Sequence, residues 1–371
     1  MRTAAPRKIL MTIDAVGGVW RYGMDLAKGL SEQGIEVVLA GFGPPPGDDR
    51  QREAAGIGQL VWLNAPLDWM ATSEAELGAV PRLIGELADR HGVDLLHLNL
   101  PSQAAGLATD VPVVVVSHSC VVTWFAAVRG SDVPADWQFH RRLNAQGYAA
   151  ADAVVVPSRA QGHMLDRAYG VMTKLSVVYN GSDLQPRAEP RQDVVFAAGR
   201  WWDEGKNGSV LNEAAKTVHW PVRMAGATRS PGGDGITLTH ADALDELGHA
   251  ATMDEISRAA IFVSPSIYEP FGLAALEAAR LGAALVLSDI PTYRELWDGA
   301  ALFADPGDAQ GFARGINRLI AEPDLRSSLS RHARELSRHF TLERQVDAMS
   351  RIYGDAGLAT PLSVPLAATA E

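Results

Sequence analysis

Glu269 and Glu277 stand eight positions apart in the run Tyr268-Glu269-Pro270-Phe271-Gly272-Leu273-Ala274-Ala275-Leu276-Glu277-Ala278. This run follows the apolar stretch Ile261-Phe262-Val263 and turns through Pro-Phe-Gly into an alanine-rich helix. A strand that ends in Ser264-Pro265-Ser266 and becomes a helix near Gly272 leaves unpaired backbone N–H groups at the helix entry, where the helix dipole favours an anion such as phosphate. Glu269 falls in the turn, and Glu277 about one and a half helical turns beyond Gly272, so one carboxylate lies beside the anion site and the other further along the same helix. Neither belongs next to a bare phosphate. Both suit a diphosphate ligand with hydroxyl groups at either end, because carboxylates accept hydrogen bonds from sugar hydroxyls more strongly than neutral acceptors do.

The cations for such a ligand lie in Gly199-Arg200-Trp201-Trp202-Asp203-Glu204-Gly205-Lys206-Asn207. Arg200 can grip phosphate oxygens through two parallel N–H donors and Lys206 acts as a point charge, so together they match a diphosphate leaving group. The plain alternative is a solvated basic pair at a helix start, although cations there oppose the helix dipole unless an anion is present. In Asp14-Ala15-Val16-Gly17-Gly18-Val19-Trp20 the paired glycines Gly17 and Gly18 let backbone approach a ligand closely, or simply make a tight turn. They lack the G-x-G-x-x-G spacing, and no acidic residue ends the strand 36–40, which argues against a nicotinamide dehydrogenase. His118, just after Val113–Val116, is a candidate sugar contact or a structural hydrogen-bonding residue, and His97 and Asn99 are weaker candidates on the acceptor side. No Asp-x-Asp pair is present to hold a catalytic divalent ion, so no metal site is expected.

Short apolar runs alternating with helical patterns position these residues, which is the signature of βα units and a parallel sheet. Strands are expected at 9–13, 36–40, 59–63, 94–98, 112–117, 153–157 and 175–179, with helices such as 19–33 and 134–150 between them. The pattern restarts with strands at 194–198, 221–225, 236–239, 261–264, 284–287 and 301–303. The fold class is therefore α/β, with two doubly wound, Rossmann-like domains in tandem, 1–185 and 186–340. They meet at the proline-interrupted stretch Asp183–Arg191. A last helix near 341–357 is expected to pack back on the first domain, and the Ala/Thr/Pro-rich residues 358–371 to be disordered. Ligands of open parallel sheets bind outside the carboxyl ends of the strands, which is where the residues named above fall.

The chain has 371 residues and a net charge of −11 spread over both halves, which disfavours nucleic acid as a partner. An anionic ligand must then be held by a few placed cations and helix ends. The lone Cys120 excludes a disulfide framework and favours a reducing compartment. With no signal-peptide run after Met1–Lys8 and no apolar membrane span, a cytoplasmic protein is expected. The nearest candidate for peripheral membrane contact is the short basic stretch Gln138-Phe139-His140-Arg141-Arg142-Leu143.

Taken together, these residues resemble family 4 of the retaining glycosyltransferases with the GT-B fold. The likeness covers nearly the whole chain: Gly17-Gly18, His118, Tyr179-Asn180-Gly181-Ser182-Asp183, Gly199-Arg200 with Lys206, Glu269 with Glu277 as a Glu-x7-Glu element, and Ser288-Asp289-Ile290-Pro291-Thr292-Tyr293-Arg294-Glu295. The resemblance implies transfer of a sugar from a nucleoside-diphosphate sugar to a hydroxyl of a glycan or lipid-linked acceptor, in polysaccharide or cell-envelope synthesis. It implies that Arg200 and Lys206 bind the donor diphosphate, Glu277 the ribose, and Glu269 with the backbone of Phe271, Gly272 and Leu273 the transferred sugar. Gly17 and Gly18 would face the diphosphate and His118 the sugar, with front-face attack and no cofactor or metal. One departure is the spacing of six from Arg200 to Lys206, where the usual motif has five and Gly205 here intervenes. The competing expectations are a nucleotide-sugar-binding regulator without turnover and an epimerase or hydrolase of the same fold.

Overall fold

The computed structural model describes residues 6–186, 190–230 and 232–359. The interior of the proline-rich junction and the expected disordered tail from 360 onward lie outside them. The first sheet comprises β1 (Lys8–Asp14), β2 (Glu36–Phe42), β3 (Gln59–Trp62), β4 (Leu95–Leu98), β5 (Val113–Val116), β6 (Ala153–Val156) and β7 (Leu175–Val177). Its strand order is β3-β2-β1-β4-β5-β6-β7, and every pairing is parallel. The second comprises β8 (Gln192–Ala198), β9 (Val222–Ala225), β10 (Asp242–Ala243), β11 (Ala259–Ser264), β12 (Ala284–Ser288) and β13 (Ala301–Ala304). It is also parallel, in the order β10-β9-β8-β11-β12-β13.

The strands are apolar on both faces because helices cover both faces. Along β1, Leu10 enters one core and Ile9 and Met11 the other, while Phe196 and Phe262 are buried opposite Val195 and Ile261 in the second sheet. Both sheets reverse their winding direction, between β1 and β4 and between β8 and β11. The loops leaving these four strands diverge there and leave a crevice. They carry Asp14 to Gly18, Asn99, Arg200 to Lys206 and Glu269.

The helix Leu342–Ala359 follows the second sheet in the chain but packs on the first. Leu342, Val346, Met349, Tyr353 and Ala356 recur every three or four residues and join the core that holds Ile9 and Met11. It lies against the helix Gly18–Glu32 so closely that a Cβ on Gly29 would fall 2.5 Å from Val346 Cγ2.

One expectation needs correction. Residues 236–239 form no strand, and the edge of the sheet is instead the two-residue β10. The Asn212 side-chain oxygen accepts from the backbone N–H of Thr239, His240 and Ala241 (2.9, 3.0 and 3.3 Å), which holds the chain in a turn just before β10. The basic stretch at 138–143 lies at the start of the helix Gln138–Ala150, and both of its arginines are paired. Arg141 is held by Asp132 and the Ala168 carbonyl, Arg142 pairs with Glu74, and Phe139 and His140 are buried. Among the described residues, no helix is long and apolar enough to cross a membrane.

Candidate active site

The four crevice loops face one another across the two sheets. Asp14 closes the first loop by accepting the N–H groups of Val16 and Gly17 (2.9 and 3.2 Å). Burial pushes its carboxyl above the usual range, against those hydrogen bonds and the charge of Arg200. Gly17 caps the helix Gly18–Glu32 in an extended conformation. A Cβ there would lie 2.7 Å from Arg200 Nη1, and one on Gly18 would lie 3.9 Å from Leu273 Cδ1. Glycine at position 17 therefore lets the backbone of one domain come up to a guanidinium of the other.

On the facing side, Arg200 sits 5.5 Å from the Trp202 ring and 3.4 Å from Asp203. The extra residue between arginine and lysine is taken up by a 3-10 turn, Glu204–Lys206, and by Asn207 at φ 57°. The Gly205 carbonyl accepts from Ile267 and Tyr268 N–H (2.9 and 3.3 Å), tying this turn to the glutamate loop. The result is a salt bridge of 2.5 Å between Lys206 Nζ and Glu269 Oε2. Gly272 caps the helix Leu273–Leu281 at φ 90°, with no side-chain cap on its first N–H groups. A Cβ on it would approach Tyr293 Cε1 to 2.8 Å and Glu269 Cγ to 3.4 Å. Phe271 is buried, packed edge-on against Phe340 at 5.8 Å.

Glu277 is 8% exposed. Desolvation, with the nearby Asp25 charge adding and Arg21 opposing, raises its carboxyl to about 8. Asp25 and Arg21 belong to the helix Gly18–Glu32 of the facing domain, and Arg21 is paired with Asp25 and Glu53 (2.5 and 2.6 Å).

His118 is half-buried and edge-on to Tyr22, with its Nε2 2.8 Å from Asn99 Oδ1. His97 Nε2 reaches the same oxygen at 3.0 Å, and its Nδ1 meets Tyr353 OH at 2.7 Å. An amide oxygen only accepts, so both imidazoles carry their proton on Nε2, and among the described residues His118 Nδ1 is left as an acceptor without a partner. Desolvation lowers His118 to about 3, with His97 adding, and His97 to about 4, so both are neutral. His97 is thus not an acceptor-side group. It is fully buried and links the last helix to the Asn99 turn, a role invisible without the fold because Tyr353 lies 256 residues away.

Sequence reasoning also missed the seam between the domains. The Glu295 carboxylate accepts the first N–H groups of the helix Arg159–Tyr169, from Arg159 and Ala160 (2.9 and 2.8 Å), and the Tyr179 hydroxyl at 2.9 Å. Ser158 Oγ donates to the Pro270 carbonyl at 2.7 Å, Thr123 meets Tyr268 OH at 2.8 Å, and Trp124 Nε1 donates to Asp203 at 3.0 Å. Arg129 holds Glu204 through two hydrogen bonds of 2.9 and 2.5 Å. A helix-start signal at Ser158 was readable, but its anionic partner across the cleft was not. Among the described residues, no three His, Cys, Asp or Glu side chains gather as a metal cluster.

The model of "Glycosyltransferase Family 4" matches residues 16–186, and that of "Glycosyl transferases group 1" matches residues 240–336. The D-inositol 3-phosphate glycosyltransferase of Salinispora tropica is 26% identical over 404 aligned residues, covering 92% of this chain and 81% of its own. Among solved structures, sucrose-phosphate synthase from Thermosynechococcus elongatus superposes with a TM-score of 0.79 at 18% identity, covering 95% of this chain and 100% of that one. HepE of Anabaena in complex with UDP-glucose superposes with a TM-score of 0.74 at 17% identity, covering 94% and 99%.

Proposed function

Because this chain belongs to family 4 of the glycosyltransferases, a transferase enzyme with the GT-B fold, we propose that it moves a sugar from a nucleoside-diphosphate sugar to an acceptor hydroxyl with retention of anomeric configuration. The observation that carries this reading is the close approach of Gly17 to Arg200 Nη1, beside the Lys206–Glu269 pair and the uncapped start of the helix Leu273–Leu281. A diphosphate seated there meets the guanidinium, the ammonium and free N–H groups together. The UDP-glucose bound by HepE supports a nucleotide-sugar donor and makes the uridine series the first to test.

As the bond from the anomeric carbon to the diphosphate breaks, its electron pair stays on the leaving oxygen, where Arg200, Lys206 and the helix N–H groups stabilise it. The acceptor oxygen bonds to the anomeric carbon on the same face, and its proton passes to the leaving phosphate. Glu269, held by Lys206, accepts hydroxyls of the transferred sugar, with the backbone of Phe271, Gly272 and Leu273 completing that wall. His118 Nδ1 accepts another hydroxyl from the facing domain. Glu277 binds the ribose, its carboxyl able to donate as well as accept while protonated. The acceptor belongs to glycan or glycolipid synthesis.

A thermal-shift panel of nucleoside diphosphates and their sugars tests the donor site, since a ligand at 100 times its Kd adds about 2.7 kcal/mol of stability. Stabilisation by at least one diphosphate is the expected result, and a panel without any shift refutes the site. Glu269→Gln should keep appreciable steady-state activity. A glycosyl ester trapped on Glu269 would replace front-face attack by a covalent route.

A further inference from the structure

We propose that Trp69 and Trp202 form an acceptor subsite for an uncharged sugar ring, an assignment that rests on the transferase reading and names the class of its acceptor. Trp69 lies on the short turn Asp68–Met70 after β3, and Trp202 lies beside Arg200 in the other domain. Their rings oppose each other across the cleft, with centroids 6.5 Å apart and planes 26° from parallel. Both are half-exposed, whereas the adjacent Trp201 is 2% exposed and donates its Nε1 to the Ala225 carbonyl. Among the described residues neither Trp69 nor Trp202 has a partner for its indole N–H, so both remain free for ligand hydroxyls.

Trp69 is held in place. The buried Asp68 accepts its backbone N–H at 2.6 Å and the Ser102 hydroxyl at 2.8 Å. A ring inserted between two faces needs about 7–8 Å, two carbon contacts of 3.5–4.0 Å each. The pair is therefore closed on itself here and admits a pyranose when the domains part slightly. The apolar face of a pyranose matches an indole face, and its rim hydroxyls match the two free N–H groups.

Charge decides the class. The cations on the Trp202 side are assigned elsewhere: Arg129 pairs with Glu204, and Arg200 and Lys206 serve the proposed diphosphate. Asp203 accepts from Trp124 Nε1 and the Gly205 N–H, and Glu204 holds Arg129, so among the described residues the charged groups next to Trp202 leave no cation assigned to a phosphorylated acceptor.

The test titrates full-length protein with methyl glucoside, methyl galactoside, methyl mannoside, maltose and inositol 3-phosphate, with and without UDP, by saturation-transfer NMR and tryptophan fluorescence. At least one uncharged sugar should bind and alter the fluorescence. Trp69→Ala and Trp202→Ala should each weaken it about tenfold, as for a central tryptophan contact, and Trp202→Phe should recover part of the loss. Equal sugar affinity in wild type and both alanine variants, no binding of any uncharged sugar, or preference for inositol 3-phosphate overturns the proposal. A UDP thermal shift is read separately in the same samples. If UDP fails to bind while the tryptophan variants still lose the sugar, the donor reading falls and the subsite stands.

Discussion

Glu277 gives the site a pH signature. Its carboxyl is raised to about 8 by burial, against about 4.3 for a glutamate in an unfolded chain. Between those values the folded protein holds the extra proton, so this contribution to stability is complete below the unfolded value and is lost as pH rises through about 8. Glu277→Gln removes the ionisation. Melting curves of wild type and variant should therefore diverge in the variant's favour from pH 5 to pH 8.5, and curves that stay parallel over that range would show that the buried charge is not felt. Lys206 offers a kinetic counterpart. Lys206→Met removes one charge from the leaving group and strands the Glu269 carboxylate, so kcat should fall by roughly 10²–10³, the usual loss for one stabilising donor, in a nucleoside-diphosphate release assay. The types of these residues were legible because charged groups at the carboxyl ends of apolar strands have few structural reasons to be there. Their pairing was not, since Lys206 and Glu269 lie 63 residues apart and meet only because β8 and β11 are neighbours.

At the scale of elements, the loop into the helix Leu273–Leu281 depends on one glycine. Gly272 adopts φ 90°, and a Cβ there would press on the Tyr293 ring at 2.8 Å. Tyr293 is fixed in turn by a 2.5 Å hydrogen bond to Ser264 at the end of β11. Gly272→Ala should cost about 1–3 kcal/mol through backbone strain alone, with more from the clash, and chemical denaturation would measure it. Gly248→Ala is the control, because that glycine has φ −63° and open space around its Cβ position. Most parallel strands were legible from their apolar runs, because strands buried on both faces leave an unbroken hydrophobic signal. The 236–239 segment misled because Ile236 and Leu238 do pack against the second core, while the Asn212 side chain takes up the neighbouring N–H groups that a strand would have used. Periodicity reports burial of side chains and is blind to such a competitor for the backbone.

Glu295 is central to the contacts that hold the two domains facing each other. Its carboxylate satisfies two N–H groups at the start of the helix Arg159–Tyr169, where the helix dipole adds to the hydrogen bonds, and it also takes the Tyr179 hydroxyl from the segment leading into the junction. One side chain of the second domain thus caps a helix of the first and grips the connection between them. The helix Leu342–Ala359 ties the chain back in another way, since it buries Met349 and Tyr353 in the first domain's core. Removing the Glu295 carboxylate should then loosen closure while leaving both cores intact. Glu295→Ala is expected to cost about 0.5–2 kcal/mol, the range for a lost helix cap, to increase the radius of gyration of the donor-free protein in small-angle scattering, and to raise KM for the donor more than it lowers kcat. Glu295→Gln keeps one accepting oxygen and should fall between the two. Were Glu295→Ala to unfold the second domain, near-ultraviolet circular dichroism would change along with the scattering. An expanded profile with native near-ultraviolet bands is the signature of a cap that governs closure, and an unchanged profile with unchanged KM would assign closure to the Arg129–Glu204 and Trp124–Asp203 contacts on the other side of the cleft.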